Sequence, residues 1–432
     1  MENLLTTSSS IKIQYKNEDK SSRGKFKAEI RELKTEEIKK ILIEKIKEEE
    51  SLIIENSADL EFIKTVKYKK DKFNVASLFS GAGGLDLGLE LAGLSAEVGD
   101  EKAMQAFQNK REFAKLRSKS IFHTGYTNDM FIEANQSYKK NFPDFVKQHQ
   151  KDIRKVAHFP KSEMMVGGFP CPGFSEAGPR LIDDPRNFLY IHFIRALMQA
   201  QPEFFVAENV KGMMTLGKGE VLKQIVEDFA SAGYTVTPHL VNSRDYGVPQ
   251  SRERVFLIGV HKEKIEQKYN YHYNLPEPTH ANSNDLFSDK LPFVTLKEAI
   301  GDLEKNPGPY FEGSYSTIYM SRNRKKSWGA QSFTIQASGR QAPQHPAGMP
   351  MKCIEKNKWE FQGKKNRRLS VREIARIQTF PDWYEFSDGE NEKISENGRL
   401  DKMYKQIGNA VPVLLAKAIT QPIADFVKEN IL

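Results

Sequence analysis

Short apolar runs that end in glycine, proline or a small polar residue set the plan of the chain from residue 73 onward. Phe73-Asn74-Val75-Ala76-Ser77-Leu78-Phe79, Met164-Met165-Val166, Glu203-Phe204-Phe205-Val206-Ala207 and Val255 to Val260 read as buried strands. Leu85 to Ala92 and Leu189 to Ala200 are apolar in the manner of packed helices. Strand, glycine-rich turn and helix in succession predict an α/β fold opening with a Rossmann-like unit. In such sheets ligands and reactive groups gather at the carboxyl ends of the strands.

The residues at those ends carry the candidate chemistry. Phe79 leads into Ser80-Gly81-Ala82-Gly83-Gly84, whose glycines let backbone approach a ligand that a Cβ would exclude. A dinucleotide site would want G-x-G-x-x-G. Here the third glycine is replaced by Asp86, which favours a smaller nucleoside ligand over a pyrophosphate. Ile121 to Tyr126 predicts the next strand, and Asp129 beyond it is placed to grip a ribose diol. Asp152-Ile153 offers a second acid, of the kind that meets an adenine amino group; both acids could equally serve as caps or surface residues. The stretch 94–120 reads as an inserted surface helix. Met164-Met165-Val166 ends in Gly167-Gly168-Phe169-Pro170-Cys171-Pro172, which puts one of only two cysteines on a strand tip. A lone cysteine is more often an inert hydrophobe than a nucleophile, so its company decides.

Composition narrows the partner. A net charge of +8 and a pI near 9.0 suit a polyanion such as nucleic acid, without specifying a mechanism. No run of eighteen apolar residues and no signal-peptide core occur, so a soluble, cytoplasmic protein with reduced thiols is expected and no membrane. Cys171 and Cys353 form no framework, and no His or Cys cluster has ligand spacing, so no metal is expected. Residues 1–72 form a charged extension in which Ile30, Leu33, Ile38, Leu42 and Ile46 recur at helical spacing. That pattern predicts an amphipathic helix docked on the body. Residues 73–275 read as the catalytic and cofactor-binding domain, 276–380 as a small proline-punctuated domain, and 381–432 as the return to the first. Within the small domain Phe311 to Met320 and Phe333 to Ala337 look like short strands. Ser370-Val371-Arg372-Glu373 is a capping box opening a helix through Gln378. Asn409 to Asn430 reads as a closing helix with a proline at its start.

Phe79-Ser80-Gly81-Ala82-Gly83-Gly84, Pro170-Cys171, Glu208-Asn209-Val210, Gln250-Ser251-Arg252-Glu253-Arg254 and Gly408-Asn409-Ala410-Val411-Pro412 occur in that order. Together they resemble the ordered motif series of the DNA cytosine-5 methyltransferases over about residues 73–425. The resemblance implies a Rossmann-like S-adenosylmethionine-dependent methyltransferase domain, a smaller inserted target-recognition domain and an N-terminal charged helical arm. It implies S-adenosylmethionine as donor and S-adenosylhomocysteine as product. The positions matching the family's cofactor contacts are Phe79, Gly81, Ala82, Gly83, Asp129, Asp152, Ile153, Pro170, Leu189, Asn409, Ala410 and Val411.

The chemistry requires a thiolate, because cytosine C5 becomes electron-rich only after a nucleophile adds at C6. Cys171 takes that role by the resemblance. Glu208 relieves charge at N3 by donating a proton, and Arg254, with Arg252 supporting, holds the carboxyl group and cytosine O2. A structural salt bridge at the sheet edge is the alternative for these three. A base inside a duplex must be flipped out, and Pro172 to Arg186, with Ser175 and Arg180, reads as the closing loop. Gly313 to Arg324 and Phe333 to Gln341 are similar to the reading domain of bacterial enzymes that modify GGCC. Arg322, Arg324 and Arg340 would then read guanines and the inner cytosine would be the target, unless these arginines only touch phosphates. Expected partners are double-stranded DNA and, functionally, a restriction endonuclease of the same specificity; a monomer is expected. The same chemistry on tRNA and a non-catalytic DNA-binding regulator are the alternatives, with a nicotinamide oxidoreductase more distant.

Overall fold

β7 (Phe204–Val210) shows why the sheet is covered on both faces. Its alternate residues divide between two hydrophobic clusters, Phe205 and Ala207 into one, Phe204 and Val206 into the other. β3 (Phe73–Leu78), β6 (Met164–Gly167) and β9 (Glu253–His261) divide the same way, so continuous apolar runs follow from burial on two sides. The computed structural model describes residues 11–15, 26–30, 35–53, 57–170, 189–282, 289–313, 315, 320–321, 323–363 and 366–432. Cys171, Ser175, Arg180 and Arg322, with the Pro172–Arg186 loop, lie outside the described residues.

With β4 (Phe122–Asn128), β5 (Lys147–His149) and β8 (Tyr234–Asn242), the strands form one seven-stranded sheet of order β5-β4-β3-β6-β7-β9-β8. β5, β4, β3, β6 and β7 run parallel, whereas β9 is antiparallel to both β7 and β8. The order turns outward on both sides of β3 and β6, the crevice where α/β sheets bind ligands. On one face lie α7 (Leu189–Ala200) and α8 (Glu220–Ser231). On the other lie α3 (Gly84–Val98) and the closing helix α12 (Val413–Asn430). A Cβ at Gly84 would sit 2.5 Å from the Val411 carbonyl, and one at Gly88 would sit 2.4 Å from the Ala416 Cβ. Those two glycines let α12 lie directly on α3. The stretch 396–430 is long and apolar enough to cross a membrane by composition alone, but 61% of its most apolar window is buried in this fold.

Three expectations are corrected. Ile30 does not belong to the N-terminal helix; it ends β2 (Phe26–Ile30), antiparallel to β1 (Ile11–Tyr15), and the helix α1 is Thr35–Ser51. Spacing alone cannot separate a strand end from an earlier helical turn. Residues 94–120 are not a single surface helix. α3 runs on to Val98, and α4 (Asp100–Phe107), α5 (Lys110–Leu116) and a 3-10 turn follow. Their inner residues Ala103, Phe107 and Phe113 join a buried cluster with Phe142, Tyr384 and Tyr138 of α6 (Ile132–Asn141), so apolar positions sparse in sequence converge in space. Phe333 to Ala337 form no strand; one bridge pairs Ser332 with Gln250, and the described residues of Phe311 to Met320 form none either.

The chain from 291 to 377 builds its own cluster. Leu296 and Ile300 of α9 (Leu296–Ile300), with Leu303, Phe311, Ile335, Ile374 and Ile377, meet Leu400, Tyr404 and Ile407 of α11 (Glu396–Asn409). α10 (Val371–Ile377) opens with the capping box on Ser370, whose hydroxyl accepts from the Glu373 N–H. α1 buries Ile38, Ile41, Leu42 and Ile46, with Leu42 and Ile46 in the same cluster as α7 and α8.

Candidate active site

The antiparallel run of β9 decides which groups meet. Because β9 runs against β7, its first residues lie at the carboxyl edge of the parallel strands, and Arg254 pairs in register with Val210. The Arg254 Nε is 2.9 Å from Glu208 Oε1, with both side chains largely buried. β6 lies on the other side of β7, with Gly167 opposite Ala207. Gly168 follows beside the Glu208 carboxylate; a Cβ there would stand 3.1 Å from Glu208 Oε2. One carboxylate oxygen therefore faces Arg254 and the other faces the segment that leads to Cys171. Asn209 Nδ2 donates to the Phe169 carbonyl at 3.1 Å, fixing the approach to Pro170. Burial pushes the Arg254 guanidinium below its ordinary value, and the Glu208 charge opposes that shift.

Arg252 does different work. It is 1% exposed, and its guanidinium donates to the carbonyls of Ile335, Gly408 and Ala410 at 3.3, 3.0 and 3.2 Å. Gln250, fully buried, donates to Gln378 Oε1 at 2.7 Å and accepts the Ile335 N–H at 2.8 Å. Gln378 Nε2 in turn donates to the Ile407 and Ala410 carbonyls. This polar bracket ties the β8–β9 loop, the segment after Ser332 and the turn Asn409-Ala410-Val411 to one another. Buried amide and guanidinium groups bonded to several backbone segments in this way favour one arrangement of those segments. The sequence singled out Arg252 for its spacing from Arg254, but gave Gln250 and Gln378 no role, since their partners are carbonyls distant in sequence.

Several of the cofactor candidates lie at the end of β3. Phe79 adopts φ 53°, a left-handed conformation that costs a non-glycine residue roughly 1–2 kcal/mol. Gly81 follows at φ 54°, with nothing within 4 Å of where a Cβ would be, so the loop borders open space. Gly83 has no such room, because Phe142 would be 2.5 Å away. Tyr384 donates its hydroxyl to the Ala82 carbonyl. Asp129 accepts the Gly81 N–H at 2.9 Å on Oδ2 and the Phe131 N–H at 2.9 Å on Oδ1. Burial raises its carboxyl above the usual value against those hydrogen bonds. Beside it Met130, Phe131 and Ile132 stand 52%, 42% and 55% exposed, an apolar surface that no sequence motif marks. Asp152 caps a 3-10 turn that begins at Ile153; burial raises its carboxyl but the Arg154 guanidinium and N–H outweigh that and hold it low. Leu189 begins α7, and Asn409 to Val411 link α11 to α12 against Gly84. An open cradle of glycine, a carboxylate with remaining lone pairs and an exposed apolar flank fit a nucleoside.

Asp86, in the third-glycine position of a dinucleotide turn, faces inward. It accepts from Ser77 Oγ at 3.0 Å and Tyr138 Oη at 3.2 Å, and burial raises its carboxyl to about 7. Among the guanine-reading candidates, Arg324 stacks over Phe333 at 5.5 Å. Arg340 is exposed on a turn anchored by Asp401, which accepts from Ser338 Oγ and the Gly339 N–H. Among the described residues no group of three or more His, Cys, Asp or Glu is placed to hold a metal.

Comparison with known proteins gives this edge a family. The model of the C-5 cytosine-specific DNA methylases matches residues 73–425. The chain is 64% identical over 410 residues to the type II methyltransferase M.BsuRI of Bacillus subtilis, covering 94% of this chain and 92% of the relative. It is 60% identical over 418 residues to the type II methyltransferase M.BspRI of Lysinibacillus sphaericus, covering 95% and 96%. A solved structure of a candidate DNA modification methyltransferase encoded within an E. coli prophage shares the fold, with a TM-score of 0.54 at 22% identity over 82% of this chain and 99% of that one. The family match runs from the first strand of the large sheet into its last helix, so the chain belongs to the C-5 cytosine-specific DNA methylases.

Proposed function

We propose that this DNA (cytosine-5-)-methyltransferase works through a covalent adduct between the Cys171 thiolate and C6 of a cytosine flipped out of duplex DNA. The observation that carries the reading is the Glu208–Arg254 pair, 2.9 Å apart beside the strand tip that leads to Cys171. Addition at C6 places negative charge on N3 and O2. In its protonated form the Glu208 carboxyl group donates its O–H, on the side of Gly168, toward N3, and Arg254 holds the carboxyl group and the O2 side. Arg252 acts as a positioning residue, through the carbonyls it binds.

S-adenosylmethionine supplies an electrophilic methyl group. Phe79, Gly81, Ala82, Gly83, Asp129, Asp152, Ile153, Pro170, Leu189, Asn409, Ala410 and Val411 would hold it, with Asp129 on the ribose hydroxyls. The fit rests on the open side of Gly81 and the apolar flank at Met130 to Ile132. In our reading Ser175 and Arg180 close over the extruded base. Residues 276–380 form the DNA-reading domain, and Arg322, Arg324 and Arg340 read guanines of GGCC, with the inner cytosine as target. The enzyme protects its host's DNA as a monomeric partner to an endonuclease of that specificity, in keeping with the type II relatives. Bisulfite sequencing of plasmid DNA from a methylation-free host expressing the chain tests this. Protection confined to the inner cytosine of GGCC is expected; protection at another motif refutes the guanine-reader assignment.

A further inference from the structure

The segment from β5 to Ala157, which carries Asp152 and Ile153, is held from two sides. From the core, Asn128 at the end of β4 donates Nδ2 to the carbonyls of His149 and Lys151, both at 2.8 Å. Arg195 Nη2 donates to the Ile153 carbonyl at 2.9 Å. From outside, the clamp is Asp59, on α2 (Ser57–Lys64) of the N-terminal extension. Asp59 is 2% exposed. Its Oδ1 lies 2.7 Å from Lys151 Nζ and 3.3 Å from His149 Nε2, and its Oδ2 accepts the Ala157 N–H at 2.5 Å. The ring of Phe62 stacks on His149 with centroids 4.5 Å apart. A second tie runs from Glu50 of α1 to Gln199, which also bonds the Ala157 carbonyl and the Phe159 N–H.

Burying a carboxylate is costly unless its lone pairs are filled. Docking the extension requires only apolar contact, which Ile38, Ile41, Leu42 and Ile46 already supply. Asp59 instead gathers three donors from one segment of the catalytic domain, and it precedes residue 73, where the family match begins. We propose that the N-terminal extension is part of the cofactor site, with Asp59 as a positioning residue that holds 149–157 so that Asp152 and Ile153 present to the adenine end of S-adenosylmethionine. The inference rests on the assignment of Asp152 and Ile153 made above.

The test is calorimetric titration of the full chain with S-adenosylmethionine, in wild type, Asp59→Asn, Asp152→Ala and Ile265→Ala. Ile265, buried in the helical turn Lys262–Glu266 that follows β9, controls for lost stability. Asp59→Asn is expected to raise the dissociation constant roughly tenfold, the effect of removing one charge-assisted hydrogen bond. The weakening should appear in KM for the cofactor rather than in kcat, and Ile265→Ala should bind as wild type does. If Asp59→Asn lowers the thermal midpoint further than Ile265→Ala, Phe62→Ala is read in its place, with the same expected direction. Wild-type affinity in Asp59→Asn beside weakened binding in Asp152→Ala overturns the inference and leaves the site assignment standing. Wild-type affinity in Asp152→Ala overturns the assignment, and the inference with it.

Discussion

Glu208→Gln isolates the proton that the proposed mechanism needs. Glutamine has the shape of glutamate, and its carbonyl oxygen can take the place of Oε1, 2.9 Å from Arg254 Nε. Its amide nitrogen then takes the place of Oε2, on the side of Gly168. The amide can still donate a hydrogen bond toward N3 but cannot transfer a proton or carry the counter-charge. Loss of positioned proton transfer slows such steps by about 100- to 10,000-fold, which is about 2.7–5.4 kcal/mol in the barrier. The fold should withstand the change. The change leaves the largely buried Arg254 charge without its counter-charge, a loss of about 3–5 kcal/mol, below the roughly 5–15 kcal/mol that holds a domain folded. The assay is single-turnover transfer of a labelled methyl group to duplex DNA at saturating cofactor, with circular dichroism on the same preparation. A rate within about threefold of wild type would refute the proton-donor role and leave Glu208 as a structural counter-ion. A rate loss matched by loss of folded signal would refute the claim that the two effects separate.

Three further expectations follow from particular contacts. Cys171→Ser should abolish turnover while duplex binding, measured by gel shift, stays within a few-fold; retained turnover would exclude the covalent route. Gly408→Ala places a Cβ 2.4 Å from the Gln336 carbonyl oxygen and 2.7 Å from the Ala337 Cα, all backbone. It should cost about 1–3 kcal/mol in chemical denaturation and lower activity as the bracket around Arg252 is forced apart. Asp86, with its folded carboxyl raised to about 7, binds a proton that the unfolded chain releases near the ordinary value of 3.8. Its contribution to stability is therefore fully present below about pH 4 and is lost as pH rises through about 7. The thermal midpoint of Asp86→Asn minus that of wild type should grow between pH 5 and pH 8; a difference that does not change with pH would contradict it.

The sequence by itself determined β3, β6, β7 and β9, because residues buried on two faces must be apolar without interruption; the partly exposed β8 and the three-residue β5 carry no such run. It also determined the capping box at Ser370 and the glycine turn after Phe79, whose chemistry is local. The ordered motifs carried the family. What a linear pattern cannot hold is the partner of a polar side chain. That Arg254 meets Glu208 depends on β9 running antiparallel to β7, a choice made by the sheet. That Arg252, Gln250 and Gln378 bracket three backbone segments depends on carbonyls far apart in the chain, which every residue possesses. The helices of 94–120 became core through Phe142 and Tyr384, which lie well beyond them in sequence. In sequence Asp59 is one more charge in a charged extension. Only the tertiary structure buried it, and burial is what makes its three donors necessary.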